Sequence, residues 1–198
     1  MKEPIFIETM RLTSSGLENI EYHQERVDRT MRNYGLASFD IKQYAGGKLP
    51  RQLPAVLCRC RMLYGIVEPE ITVVPYSPLQ RKVVRMVEAN NVEYSFKYAD
   101  RTDIQQIQAS SGASDIIIVR HGLLTDSAIA NLVFCNASGF YTPATPLLKG
   151  TAITRLIESG KVKPIAISPQ DMQHFATVTF VNAMGELTYP ISILNYSC

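Results

Sequence analysis

The sequence predicts an α+β fold of two lobes, and three observations predict it. Strand-like runs, short and apolar or alternating, dominate the first two-thirds of the chain and close on Gly, Pro, Ser or Asn. Helical periodicity is confined to a few bounded stretches. Near residues 99–123 the style changes, with a composition shift at "YADRTD". A lobe boundary belongs there: residues 1–98 as a small N-terminal α+β lobe, and residues 99–198 as a larger C-terminal lobe of strands and helices.

In chain order, "PIFIET" reads as a strand, and Ser14-Ser15-Gly16 turns it into a second, "LENIEYH". From Glu21 to about Tyr34, residues 22, 27, 31 and 34 share one helical face, and Gly35 stops the helix. "PAVLCRCRMLYG" and "EPEITVVPYSP" are strands. In the first, Cys58 and Cys60 alternate with Arg59 and Arg61, so each pair occupies its own face. "RKVVRMVEA" fits a strand by its β-branched pairs and a helix by its length. "TDIQQIQASSG" reads as a short helix with Thr102 as its cap, and "SDIIIVR" as a fully buried strand. "IANLVFCN" and "FYTPAT" form a hairpin around Ala137-Ser138-Gly139. A helix starts near Gly150 and ends at Gly160; "KPIAIS", a short helix at 169–174, "ATVTFVNA" and "ELTYPIS" complete the pattern.

Composition narrows the function classes. At 198 residues, 46% hydrophobic and 19% charged, the chain can bury one sizeable core or two modest ones. A net charge of +2 with interspersed signs disfavours nucleic-acid binding. No apolar run reaches the length of a membrane span, and MKEPIFIETM lacks a secretory apolar region, so a cytoplasmic protein is expected. The four cysteines lack disulfide or zinc spacing, and the three histidines are scattered; free thiols and no metal are the favoured reading.

Four features carry possible chemistry, each with a plain structural alternative. Lys97 sits between Phe96 and Tyr98 at the lobe boundary. Most lysines are solvated, but a partly desolvated amine has a lowered pKa and is nucleophilic, as a Schiff-base lysine must be. Asp126 follows a turn-like Gly and precedes a stretch of small residues; a turn cap would look the same. Gly150 and Thr151 open a helix whose free amides suit phosphate, as do those of any helix start. His23 and Arg26 stand one turn apart, as on any surface helix.

Together, in this order and spacing, the four resemble the fold-type IV pyridoxal-phosphate-dependent enzymes. This is the class-IV aminotransferase family, which includes branched-chain and D-amino-acid aminotransferases and aminodeoxychorismate lyase. "IFIETMR" is similar to the family's Phe-Glu-Thr-Ile-Arg strand, and "TDSAIANLVF…GFYTP…LLKGT" to its Thr-Glu…Ser-Asn-Leu-Phe…Thr-Pro…Leu-Leu-Gly signature. The resemblance covers nearly the whole chain. It implies a D-amino-acid-aminotransferase-like fold, pyridoxal 5'-phosphate between the lobes, a small-molecule amino substrate and a homodimer. The chain begins almost at the Phe-Glu-Thr strand, which implies a truncated N-terminal lobe.

The resemblance also implies roles. Lys97 would hold the cofactor covalently and shuttle the substrate's α-proton. Arg26 would bind the phosphate, joined by amides of Thr151 and Ala152 and the Thr151 hydroxyl, with Ala183 on the phosphate side. Asp126 stands where the family has a glutamate paired to the pyridine nitrogen, one methylene shorter. Gly150-Thr151-Ala152 replaces the usual Gly-x-Thr-Arg. "KYADR" and "FVNAM" resemble lyase segments more than those of branched-chain aminotransferases, with Arg61 or Arg101 pairing substrate carboxylates or forming ordinary ion pairs. A class-IV aminotransferase and a non-catalytic cofactor-binding homologue remain the alternatives.

Overall fold

In the computed structural model, residues 4–50, 52–66, 68–185, 187 and 191–192 are described. The chain forms two compact units. The first comprises Met1–Pro78 and Phe96–Asp100; the second comprises Leu79–Ser95 and Arg101–Cys198. A single boundary at 98–99 is therefore too simple. Residues 79–95 join the second unit because their strand pairs there, and residues 96–100 return to the first.

The first unit is built on an antiparallel sheet of order β2-β1-β3-β4. Its strands are β1 (Phe6–Thr13), β2 (Gly16–Leu17), β3 (Cys58–Tyr64) and β4 (Glu70–Pro75). Strand alternation sends Phe6, Met10 and Leu12 of β1 and Cys58, Cys60, Met62 and Tyr64 of β3 into one core. The expected strand "LENIEYH" stops at Leu17. Asn19 adopts a left-handed conformation (φ 52°), which asparagine tolerates, and the chain enters helix α1 (Ile20–Asn33). His23, Arg26, Val27, Thr30 and Met31 form the buried face of α1. A helix absent from the sequence reading, α2 (Ile41–Gly46), begins where Asp40 accepts a hydrogen bond from the Gln43 amide at 2.7 Å.

The second unit holds β5 (Val84–Glu88), α3 (Thr102–Ser111), β6 (Asp115–Arg120), β7 (Leu123–Ser127), β8 (Asn131–Asn136), β9 (Gly139–Pro143), α4 (Thr151–Glu158), β10 (Lys163–Ile165), β11 (Thr177–Val181) and β12 (Ile191–Ser192). Its sheet runs β10-β9-β8-β7-β6-β5, and β11 pairs with both β8 and β12. "RKVVRMVEA" resolves as strand β5, parallel to β6. Helix α3 is capped at Arg101 without a side-chain bond, so Thr102 is its first residue and not its cap.

Strand β7 was missed because its turn is only two residues long. His121 (φ 50°) and Gly122 (φ 76°) are both left-handed, the type I′ geometry that joins Arg120 directly to Leu123. That hairpin delivers Asp126. Among the described residues, one cluster of this unit gathers around Leu132, Phe134, Ile167 and Val178, and another lies between Val133, Val181 and the apolar face of α4.

Candidate active site

Each unit contributes a group of polar residues, and each group is built from its own strand and helix.

In the first unit, β1 carries Glu8 in the buried phase of its alternation, fully shielded from solvent. A carboxylate there needs a cation. Helix α1 supplies two groups one turn apart: Arg26 Nε and Nη2 reach Glu8 at 2.8 and 2.5 Å, and His23 Nδ1 lies 2.5 Å from it. Burial by itself would raise the Glu8 pKa, but the Arg26 charge and the hydrogen bonds from Arg26 and His23 prevail and hold it at about 2. The guanidinium of Arg26 is thus locked in orientation. Of its five N–H donors, Glu8 takes two.

Lys97 lies beside β1. Its carbonyl accepts the Ile7 amide at 2.9 Å, and Tyr98 bridges Phe6. The Tyr98 amide also closes on the Phe96 carbonyl at 2.9 Å, a γ-turn centred on Lys97. Phe96 and Tyr98 both turn their rings onto Phe6, with centroids at 6.4 and 5.6 Å, and the Tyr98 hydroxyl meets that of Tyr34 at 2.9 Å. Lys97, half-buried between them, is turned by alternation toward the side of β1 that carries Ile7, Thr9 and Arg11. The expected strand end is therefore a tight turn held to a strand, which fixes the backbone of the lysine.

The same face of the sheet gathers cations. The register places Arg61 opposite Thr9 and Arg59 opposite Arg11. Like charges directly across a strand pair are unfavourable, and Glu18 offsets one of them through a 3.1 Å ion pair to Arg11. Arg61 is exposed. Arg59 escaped the sequence reading as a site residue, although its alternation with Cys58 and Cys60 already put it on the face of Arg61.

In the second unit, Asp126 and Asn131 stand opposite each other on β7 and β8. The turn between them is made by Ser127, whose Oγ accepts the amides of Ile129 and Ala130. Asp126 Oδ1 accepts from Asn131 Nδ2 at 2.7 Å, and Oδ2 from the Leu148 amide at 2.9 Å. Burial pushes the Asp126 pKa up to about 7, against the opposing pull of the Leu148, Asn131 and Leu147 donors. Among the described residues no cationic side chain bonds to it.

Helix α4 opens at Gly150, whose backbone is extended, and among the described residues no side chain caps the first amides of the helix, at Thr151 and Ala152. Both residues are buried. Ala183 lies in the turn after β11, closed by paired bonds between Asn182 and Gly185, and Asn182 Nδ2 ties that turn to the Ile129 carbonyl at 3.3 Å. Arg101 donates to the Ala128 carbonyl and lies 5.9 Å from the centroid of the Tyr94 ring, so its fork anchors the loop that follows Asp126. Among the described residues no cluster of three or more His, Cys, Asp or Glu side chains is arranged to hold a metal, and no helix is long and apolar enough to cross a membrane.

Lys97 and Arg26 thus share one unit through β1, with Arg61 on the Lys97 side. Asp126, Thr151, Ala152, Ala183 and Arg101 share the other. Glu8 and Asn131, which orient Arg26 and Asp126, escaped the sequence reading. Glu8 had a signal: a lone carboxylate in the buried phase of "FIETMRL", with His and Arg three apart on the next helix.

No protein-family profile matches the chain. An uncharacterized protein of Haemophilus influenzae is 36% identical over 190 residues, spanning 93% of this chain and 99% of its own. Among solved structures, the "putative 4-amino-4-deoxychorismate lyase" of Haemophilus somnus is 27% identical with a TM-score of 0.85, covering 94% of this chain and 100% of that one. A hypothetical aminotransferase of Mycobacterium tuberculosis, in its PLP-bound form, superposes with a TM-score of 0.72 at 16% identity over 96% of this chain and 80% of that one. The last likeness is one of fold.

Proposed function

The chain belongs to the fold-type IV pyridoxal-phosphate-dependent enzymes, and on that premise we propose that it is a lyase converting 4-amino-4-deoxychorismate to 4-aminobenzoate and pyruvate. One observation carries the choice of reaction: the likeness to the Haemophilus somnus protein extends over the whole of that chain at 27% identity. The residues fit the cofactor. Asp126 is a buried carboxylate that lacks a cationic partner among the described residues, as a pyridinium requires. Arg26, oriented by Glu8, and the first amides of α4 are donors suited to a phosphate.

In this reading pyridoxal phosphate supplies the electron sink for the carbon that loses its proton. Lys97 would hold the cofactor through its amine and would serve as the base for the proton on the substrate's amine-bearing carbon. Asp126 keeps positive charge on the ring nitrogen. Arg26, Thr151 and Ala152 hold the phosphate, with Ala183 beside it. The bond between the ring and the enolpyruvyl oxygen then breaks, its electron pair leaves with the oxygen, and the enol collects a proton to become pyruvate while the ring aromatises. The substrate carries two carboxylates, and Arg59 and Arg61, on the Lys97 side of the sheet, give them a cationic surface.

The test begins with the holoenzyme. Added pyridoxal phosphate turns the protein yellow, and borohydride fixes the cofactor to Lys97; Lys97→Ala abolishes both. Aminodeoxychorismate then releases pyruvate with no keto-acid acceptor present. A protein that takes up no cofactor refutes the enzyme reading. The aminotransferase alternative predicts instead that amino acids alone convert the bound cofactor to pyridoxamine phosphate. That conversion, with no pyruvate formed from aminodeoxychorismate, refutes the lyase.

The soluble, homodimeric and folate-related character of the protein belongs to the same proposal. It rests on the family alone, and sedimentation of the purified chain checks the dimer.

A further inference from the structure

Asn131 is a buried side chain of the second unit whose amide nitrogen has two acceptors. It is 6% exposed and faces Asp126 across the β7–β8 pair. Its Nδ2 donates to Asp126 Oδ1 at 2.7 Å and to the Leu148 carbonyl at 2.9 Å. Both partners are acceptors, so the amide can have only one orientation: the NH2 faces them and Oδ1 points away. Oδ1 in turn abuts Gly150, where any added Cβ would run into it. Gly150 has an ordinary φ of −71°, so glycine is required there for space and not for conformation. The second oxygen of Asp126 is held by the Leu148 amide, two residues before Gly150.

One side chain therefore touches the acid on β7, the carbonyl of the loop leading into α4, and the residue that opens α4. We propose that Asn131 is a positioning residue that sets the spacing between the ring-nitrogen partner Asp126 and the phosphate-holding start of α4, with Gly150 as the glycine that admits it. The inference rests on the cofactor reading above. It adds a residue to which neither charge nor nucleophilicity draws attention, and a physical reason for the glycine before Thr151. Displacing Asn131 loosens both ends of the cofactor together, because the two hydrogen bonds share one NH2.

The test uses the full-length protein with Asn131→Ala, Asn131→Asp and Gly150→Ala. Asn131→Asp preserves shape while setting a carboxylate against Asp126 and the Leu148 carbonyl. Gly150→Ala pushes on Asn131 from the opposite side and deletes no donor. Two readouts are taken: the affinity for pyridoxal phosphate followed by the yellow band, and the titration of the Asp126 carboxyl carbon by NMR in cofactor-free protein.

All three variants are expected to lose about ten-fold or more in cofactor affinity, the scale of one buried hydrogen bond to a charged group. Asn131→Ala and Asn131→Asp should also move the Asp126 titration upward, which a residue serving only the fold would not do. Affinity within two-fold of wild type and an unmoved Asp126 titration in Asn131→Asp overturn the proposal, even if Asn131→Ala fails to fold. A wild type that never turns yellow overturns the cofactor reading instead. The Asp126 titration then decides alone whether Asn131 governs that carboxyl.

Discussion

Asp126→Asn removes an ionisable group from the second unit while keeping nearly the same shape. Burial raises the Asp126 pKa from an ordinary 3.8 to about 7, so the folded chain binds a proton at this site more tightly than the unfolded chain does. Stability from this group is therefore fully present below 3.8 and is lost as pH rises through about 7. The gap corresponds to about 4 kcal/mol. The amide of asparagine does not ionise and so carries no such pH-dependent penalty; its NH2 faces one of the two N–H donors of the site, a cost that is the same at every pH. Urea unfolding of cofactor-free wild type and Asp126→Asn, at about pH 4 and about pH 8, measures the difference. The variant should gain about 4 kcal/mol on wild type between these conditions. Saturating pyridoxal phosphate should cancel much of that gain, because a pyridinium supplies the missing positive charge to Asp126 and not to the amide. Parallel stability curves for the two proteins would refute the reasoning: Asp126 would then be solvated, or paired with a cation, in the folded chain.

The acid-side counterpart is Glu8. Its folded pKa of about 2 lies below the ordinary 4.5, so its contribution is present above 4.5 and lost as pH falls through 2. Glu8→Gln should cost about 3–5 kcal/mol near neutral pH, because it removes the buried carboxylate that pairs with the Arg26 guanidinium. The loss should shrink in acid, which unfolding at low pH checks. With Arg26 holding the phosphate as proposed, the substitution should also weaken binding of pyridoxal phosphate more than that of pyridoxal. Arg61→Gln, at an exposed position, should leave stability and the yellow band unchanged while raising KM for a two-carboxylate substrate by about ten-fold. Equal KM values for wild type and variant would remove Arg61 from substrate binding.

Most elements were legible in the sequence because their periodicity was local. Helix α1, strands β3 and β6 and the β8–β9 hairpin each carry a pattern that a short window contains. Errors arose where the deciding contact was elsewhere. Whether residues 84–88 are helix or strand depends on β6, some thirty residues later, with which they pair. Strand β7 hid behind a two-residue turn whose second member, Gly122, read only as a loop marker.

The site divided in the same way. Lys97, Arg26, Asp126 and Thr151 are each ordinary alone and stand out only together, through an order and spacing that resemble the family's. Glu8 and Asn131 matter through what they hold, and that requires knowing that β1 lies under α1 and that β7 lies beside β8. Arg101 shows the converse. A guanidinium in a suggestive motif is bound to the Ala128 carbonyl, a partner no spacing rule would name.

The route of the chain has a consequence for how the protein comes into being. Residues 1–78 contain the whole sheet and both helices of the first unit, yet Phe96 and Tyr98, which close over Phe6, belong to a piece that follows seventeen residues of the other unit. On a ribosome, where chains emerge N-terminus first, the first unit must wait with its aromatic cluster open until that piece arrives. The late piece is also the one that bears Lys97. The nascent chain thus gains Lys97 in the same event that seals the aromatic cluster of its first core.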